Sequence, residues 1–498
     1  MSNNRIALLS IVGLGVVFQA LFYNHGMGLN TLVFTLIITA FIFLFKKQPN
    51  SKVSIVLLLG FYAATLGVIL GHTAYSLVIY WLSFFLLLGS IVIPGIRYMH
   101  FAPAFALNAI GRIQSVFVRL SQQPDKNNRG SRLGVWMRFV FLPVVLFGIL
   151  LALYAASNTY FNDSIRSILQ YLSNMFEHVS LGRMLFGIIG LLIGSYFLIS
   201  ELRPSLLNRH LTTNTQLLRL RKRNRLPRGL TKGLIRKQQV AIVFFVLINL
   251  MAAWLNILDI KHVWLGFTWD GGYLKEMVHE GTYVLIFAIL ISMGIALYYL
   301  NGNLVFLKNH KLFQTLITIW LAQNMLMVIS VVSRNCYYVE YFGLAYKRIF
   351  VYFFLAACIV GLLSIIYKSL KYKSATYLFA VNTMSIYICC VTAGLFNWDA
   401  IIARYNFDHY QSSFVHYDFL VNLNNASLPY IITNDVRLKE IDKVQTEKFS
   451  FSSRESYKEI GFRERIEERR KYFKETWEES NWLDWNLPEK KAYVLLKE

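Results

Sequence analysis

The residue types best suited to chemistry lie in the stretches that separate long apolar runs. Asp259, His262, Asp270, Glu276, His279, Glu280, Arg334 and Glu340 fall there, with Trp264, Trp269, Tyr337 and Tyr338 among them. Carboxylates beside imidazoles can hold a metal ion or move a proton, and His279-Glu280 invites comparison with a zinc hydrolase. That chemistry needs His-Glu-x-x-His, so that two rings one helical turn apart face the same metal. The chain continues instead as Gly281-Thr282-Tyr283, and zinc hydrolysis fails on its own motif. Cys336, Cys358, Cys389 and Cys390 form no Cys-x-x-Cys or Cys/His spacing, which argues against a metal centre, redox chemistry or a disulfide framework. No P-loop, dinucleotide glycine fingerprint, nucleophile elbow or kinase set occurs. The expectation is no metal, no cofactor and no assigned catalytic residue, and the balance leans against an enzyme. Asp259, His279, Glu280, Arg334 and Glu340 then read as an outer-face polar cluster of ion pairs within an aromatic belt.

A second set of polar groups lies inside the apolar runs. Asn249 and Asn256 are seven apart on one helical side, and Gln323, Asn324 and Asn382 sit in the middle of other runs. Such amides either line a solute path or bond across helix interfaces, the commoner use. No Asp, Glu, Lys or Arg lies deep in any run, and paired broken helices are absent, which weakens a proton- or ion-coupled transporter. Gly190-x-x-x-Gly194 permits close helix contact.

The elements that must position these groups follow from composition. The chain has 498 residues, 56% of them apolar and only 15% charged, with a mean hydropathy of +0.45. A soluble chain carries about 25% charged residues, so the class is an integral membrane protein. Spanning helices need roughly 20 apolar residues. Runs of that kind occur at residues 6–23, 29–45, 53–70, 74–93, 135–157, 181–200, 240–258, 281–300, 312–332, 348–367 and 375–395. The first ends in Ala20-Leu21-Phe22-Tyr23, too bulky for signal cleavage, and reads as a retained anchor. The expected fold is an all-α polytopic bundle of about 11 spans with a small helical extracytoplasmic C-terminal domain. Its expected parts are a four-span segment at 1–134, a seven-span core at 135–396 and the tail at 397–498.

Charge sets the expected orientation. The net +23 divides into +25 over residues 1–396 and −2 over 397–498. Alternate connections at 46–52, 94–134, 201–238, 301–311 and 367–374 carry 25 Lys/Arg, and the opposite set at 24–28, 71–73, 158–180, 259–280 and 333–347 carries 5. Lys/Arg favour the cytoplasmic side, so the N-terminus is expected inside and, after an odd number of spans, the tail outside. The cluster Arg219, Arg221, Lys222, Arg223 and Arg225 is assigned to anionic lipid rather than nucleic acid, since it lacks interleaved aromatics. Residues 103–121 put Phe105, Ala109, Ile113, Val116, Phe117 and Leu120 opposite Asn108, Arg112, Ser115 and Arg119, as in an interfacial helix or one packed under the bundle. Residues 158–178 read as a second such helix.

Beyond the last run comes Asn397-Trp398-Asp399-Ala400-Ile401-Ile402-Ala403-Arg404-Tyr405-Asn406, a helix leaving the membrane with Asn397 or Asp399 as its cap. Through Asn397 and Ile402-Ala403-Arg404-Tyr405-Asn406 the chain resembles a bacterial multi-pass membrane family known only as a domain of unknown function, of the forty-one fifty-three and forty-one seventy-three type. Supporting stretches are His279-Glu280-Gly281-Thr282-Tyr283-Val284-Leu285, Tyr341-Phe342-Gly343-Leu344-Ala345-Tyr346-Lys347-Arg348 and Trp482-Leu483-Asp484-Trp485-Asn486. The family often carries Leu-Ser-x-Asp-Ala-x-Pro after the Asn-containing helix. Here the stretch is Leu423-Asn424-Asn425-Ala426-Ser427-Leu428-Pro429, without the acid. The resemblance implies a bacterial inner-membrane location and no established activity.

Residues 454–480 form an amphipathic pattern, with Phe462, Ile466, Phe473 and Trp477 on one side. The leading functional expectation is a non-enzymatic envelope sensor or scaffold acting through its tail, with membrane lipids and an envelope protein as partners. Asn397, Arg404, Tyr405 and Asn406 are the candidate tail-docking or ligand residues, with Arg404 expected to fork onto Asp259, Glu280 or Glu340. A permease or small-solute carrier using the intramembrane amides comes second, and an intramembrane enzyme third.

Overall fold

The computed structural model describes residues 2–45, 49–92, 95–110, 167, 181–197, 204–217, 228–266, 271–300, 303–307, 309–432, 435–449 and 461–497. Among these no strand occurs, and the only β-type pairing is one isolated antiparallel bridge between Gln216 and Lys373. The helices before residue 215 are α1 (Ser2–Phe22), α2 (Leu29–Leu44), α3 (Lys52–Leu70), α4 (Ala74–Ile91), α5 (Ala102–Ile110), α6 (Leu181–Tyr196) and α7 (Pro204–Thr212). Next come α8 (Arg228–Asp259), α9 (Gly271–Leu300), α10 (His310–Phe342), α11 (Tyr346–Lys371) and α12 (Ala375–Ala393). The tail holds α13 (Trp398–Asp408), α14 (Tyr417–Val421), α15 (Leu428–Ile431), α16 (Asp435–Lys448), α17 (Phe462–Glu478) and α18 (Leu487–Leu495).

Ten of the eleven apolar runs fall on described helices, and the fifth, at 135–157, lies outside the described residues. Seven described helices are long and apolar enough to cross a membrane: α3, α4 and α8 to α12. Of the other apolar helices, α1 has 21 residues, while α2 and α6 have 16 each, about 24 Å at 1.5 Å per residue, against a hydrocarbon core of about 30 Å. Residues 111–121 of the expected interfacial helix, the second such helix at 158–178 (Ser167 aside) and the Arg219–Arg225 cluster also lie outside the described residues. The described half of the first, α5, buries Phe105 and Ala109 as the pattern expects.

The chain divides into two compact units, one of residues 1–65, 80–210 and 481–485, the other of 66–79, 211–480 and 486–498. In the first, α1 lies on α6, and the Gly190/Gly194 stripe makes that contact. A methyl on Gly190 would meet the Cα of Gly15 at 2.7 Å, and one on Gly194 the Cα of Ile11 at 2.9 Å. Dispersion gains accrue because no side chain holds the backbones apart. Around α2, α3 and α4, Phe34, Phe61, Tyr80, Trp81 and Phe84 interlock at ring separations of 5.1–6.2 Å. Inside that packing the Thr35 and Thr65 hydroxyls bond at 2.9 Å, so each of these two buried groups has a partner.

In the second unit α8 and α10 run parallel, as two helices separated by one returning helix must. Asn249 Nδ2 donates to Leu316 O at 3.0 Å and Asn256 Nδ2 to Gln323 O at 3.2 Å, seven residues further along both helices. α10 and α11 are antiparallel, with Gln314 Nε2 on Ser369 O at one end and Asn335 Nδ2 on Arg348 O at the other. One buried cluster, including Phe245, Ile289, Trp320, Leu321 and Leu362, fills the helices. Another fills the tail and takes in Ile349 of α11, so tail and helix end share one core. Phe462, Ile466 and Phe473 of α17 are buried in it, as their spacing predicts. Each such side chain contributes about 1.5–3 kcal/mol.

Candidate functional site

Three stretches on which the family resemblance rests meet where α9, α10 and α11 end. The α10–α11 turn passes through Gly343 at φ +77°, a left-handed conformation that favours glycine. A side chain there would also collide with Asn406, whose Oδ1 would lie 2.4 Å from the added carbon. Asn406 instead closes on the next residue. Its Oδ1 accepts the Leu344 N–H at 2.6 Å and its Nδ2 donates to the Leu344 carbonyl at 2.9 Å. One side chain thereby satisfies both backbone groups of a turn residue, which regular secondary structure cannot do there.

Arg348, one turn into α11, folds back on the same turn. Its Nη1 donates to Phe342 O at 2.7 Å and also to Gly343 O. Its guanidinium stacks over the Tyr338 ring at 4.4 Å. The neighbouring Tyr346 hydroxyl donates to Asp399 Oδ1, which also accepts the Asn424 N–H at 2.9 Å. Asp399 is 4% exposed, and these charge-assisted bonds offset the cost of burying it. The other side of the 421–425 turn is held by Arg469, which donates to Val421 O and, at 2.6 Å, to Leu423 O. Burial pushes that guanidinium below its usual range, with Asp399 opposing. Residues 423–429 carry no acid, and the carboxylate bonded at this turn is that of Asp399 from α13.

Further bonds fasten the tail. Phe414 N–H donates to Tyr341 O at 2.8 Å, Ser413 Oγ to Glu340 O at 2.6 Å and Asn424 Nδ2 to His72 O at 3.1 Å. Asn397 caps α13, its Oδ1 accepting the Ala400 N–H at 2.9 Å. His416 caps α14 by accepting the Phe419 N–H on Nδ1 at 3.1 Å. Within the first unit the Trp485 carbonyl accepts the Leu29 N–H at 3.0 Å, and Asp484 lies 3.4 Å from His25.

A cleft of about 300 Å³ opens beside this junction, lined by Thr282 and Tyr283 of α9, Asn335 and Tyr338 of α10, Arg348 of α11 and Phe419 of α14. Thr282 is 4% exposed and its hydroxyl has no partner. Asn397 lines a smaller cavity of about 190 Å³ with Ile401 and Lys491.

The remaining expected residues divide. Asp259 and Arg334 come together, Oδ1 to Nη2 at 2.6 Å and both mostly buried. Glu340 is exposed, with its carbonyl rather than its carboxylate on the tail. His279 and Glu280 belong to α9, but their side chains lie outside the described residues. Arg404 pairs with Asp408 at 3.5 Å along its own helix, 71% exposed; the guanidiniums that grip backbone around the junction are those of Arg348 and Arg469. Tyr405 stacks on His409 at 4.1 Å, and burial, then Glu340, pushes its phenol up. The intramembrane amides act across helices: beside the Asn249 and Asn256 bonds, Asn382 Nδ2 donates to Ser364 Oγ at 3.2 Å. Gln323 contributes its carbonyl to the Asn256 bond, while its side-chain oxygen is unpartnered.

Arg348, Asp399 and Arg469 carry much of the junction; the sequence pattern offered Asp399 only as a helix cap, a place Asn397 takes, and gave Arg348 and Arg469 no role. Arg348 and Asp399 lie inside stretches already singled out, which was the available signal. Arg469 lies among six other charged residues at 463–470, and nothing in that run distinguishes it. Among the described residues no group of His, Cys, Asp and Glu could hold a metal. The Asp259–Arg334 pair also binds its carboxylate to a cation rather than leaving it free to act as a base.

No curated protein and no solved structure matches the chain. The match is to a family described as domain of unknown function (DUF4153), over residues 31–434. That segment includes α9, the α10–α11 turn and α13, and with them the cleft and the Asn406 clamp. The apolar helices fit a multi-pass membrane protein, and the chain belongs to the DUF4153 family.

Proposed function

We propose that the protein is a non-enzymatic sensor or scaffold of the bacterial inner membrane, whose residues 397–498 form a small helical module on the extracytoplasmic side. The observation that carries this reading is the fastening of tail to helix ends by backbone-directed bonds from Asn406, Arg348 and Asp399. A tail held in this way moves with the α10–α11 hairpin, so an event on it changes the spans. In each unit taken by itself, the tail meets loops poor in Lys/Arg: 24–28 in one, 71–73 and 333–347 in the other. Loops of the basic set meet each other, Arg97 N–H on His210 Nε2 and Leu217 N–H on Tyr372 O. Combined with the preference of Lys/Arg for the cytoplasm, that grouping supports an outward-facing tail. An odd number of crossings, eleven on the sequence reading, accompanies it.

Labelling tests it. Tyr472 is exposed on α17, so a Tyr472→Cys variant on a Cys336→Ser background should react with a membrane-impermeant maleimide on intact spheroplasts. Reaction only after lysis would overturn the outward placement and the sensor reading together.

The carrier reading keeps one specific observation. The side-chain oxygens of Asn249, Asn256, Gln323 and Asn324 are buried and unpartnered along the α8–α10 seam. Water accessibility of a cysteine at position 256 from both sides of the membrane would favour that reading over the first.

A further inference from the structure

We propose that the cleft between α9, α10 and α11 binds the phosphate of an anionic membrane lipid. The inference goes beyond the sensor reading and holds whichever compartment the tail faces.

Four observations carry it. First, Lys347 and Arg348 both line the cleft, and among the described residues no carboxylate pairs with either. Second, the Arg348 charge is held in place by its bonds to the Phe342 and Gly343 carbonyls and by the Tyr338 ring, so no rotamer freedom is lost when an anion arrives. Third, the Thr282 hydroxyl is a buried donor without a partner on the cleft wall, and a phosphate oxygen would satisfy it. Fourth, the cleft lies at the depth of lipid headgroups, since the apolar run of α9 begins in the sequence at residue 281, after Glu280, and Arg348 is the third residue of α11.

What distinguishes a lipid from a soluble phosphate is the surface below. Tyr283 is 50% exposed, Phe287 64% and Ile291 45%. At i, i+4 and i+8 they form one stripe down α9, running from the cleft along the bilayer-facing surface. An acyl chain laid on that stripe leaves its phosphodiester beside Lys347 and Arg348. Lysine and arginine beside anionic lipid are favourable in this layer.

The test uses the purified full-length protein in detergent, with hydrogen exchange read over segments 282–290 and 343–351. Phosphatidylglycerol should slow exchange in both segments, and phosphatidylcholine should not. Lys347→Gln removes an exposed charge and should weaken the phosphatidylglycerol effect about fivefold. Thr282→Val, a separate variant that leaves the Arg348 bonds alone, should weaken it as well. Equal protection by the two lipids, or protection unchanged in both variants, overturns the proposal. Protection by inorganic phosphate alone equal to that by phosphatidylglycerol overturns the lipid assignment, because the α9 stripe would then contribute nothing.

Discussion

Replacing Asn406 with leucine keeps the size of the side chain and removes both of its bonds to Leu344. In the native protein the amide accepts at 2.6 Å and donates at 2.9 Å, and Asn406 is buried. A buried backbone group left without a partner costs about 1–3 kcal/mol. Leu344 is half-buried, so water recovers part of the loss, and the two groups together are expected to cost about 2–3 kcal/mol. That corresponds to a rise of about thirty- to a hundred-and-fiftyfold in the population with α13 detached from the α10–α11 turn. Hydrogen exchange of the reconstituted protein reads it directly, as faster exchange over 343–346 and 398–421 with the α8–α10 seam unchanged. Asn406→Asp refines the argument. An ionised carboxylate still accepts from the Leu344 N–H but faces its carbonyl without a proton to donate, so its pKa rises. Docking in that variant should therefore recover as pH falls and the acid regains a donor. Native exchange rates in Asn406→Leu would refute the clamp. Faster exchange spread evenly over the whole unit would mean loss of the fold rather than release of the tail.

Further outcomes follow from the same geometry. Gly343→Ala combines a left-handed backbone with a carbon 2.4 Å from Asn406 Oδ1; a cost of at least 1–3 kcal/mol, about what a strained residue stores, should appear as tail protease sensitivity. His416 is held neutral, its pKa pushed below the ordinary 6.5 by burial, with Asp418 opposing and Arg348 reinforcing. The undocked chain then takes up the proton first, so tail protection should be full above about pH 6.5 and fall below it. In His416→Gln that acid-side slope should flatten, and a slope unchanged in the variant would assign it to another group. Gly190→Leu forces α6 from α1, where Gly15 lies 2.7 Å from the added carbon; overpacking of this kind costs about 1–3 kcal/mol and should lower the thermal midpoint, with Gly187→Leu, beside only the end of Gln19, as the milder control.

Legibility in the sequence depended on the range of the forces involved. Hydrophobic runs are local, so ten of the eleven fell on described helices. The α17 face of Phe462, Ile466 and Phe473 was readable for the same reason. Asn397 as a cap depends on a residue three positions on, also local. Arg404 shows the limit. A charge on a helix leaving the membrane was expected to reach distant carboxylates, yet Asp408 lies one turn away and solvent screens the pair, so the near partner prevails.

Composition and periodicity by themselves determined that this chain is helical and membrane-bound, and where its apolar helices lie, because burial in lipid acts residue by residue along the chain. Charge distribution gave an ordered set of loops, basic and non-basic in alternation. Only the tertiary structure decided that residues 282, 343–348, 399, 406 and 424 meet at one place, because backbone groups left over at helix ends accept whichever side chain folding brings to them. Asn406 and Leu344 are 62 positions apart, and Arg469 and Leu423 are 46 apart. No periodicity spans such distances, and the partner of an unpaired carbonyl is fixed by packing alone.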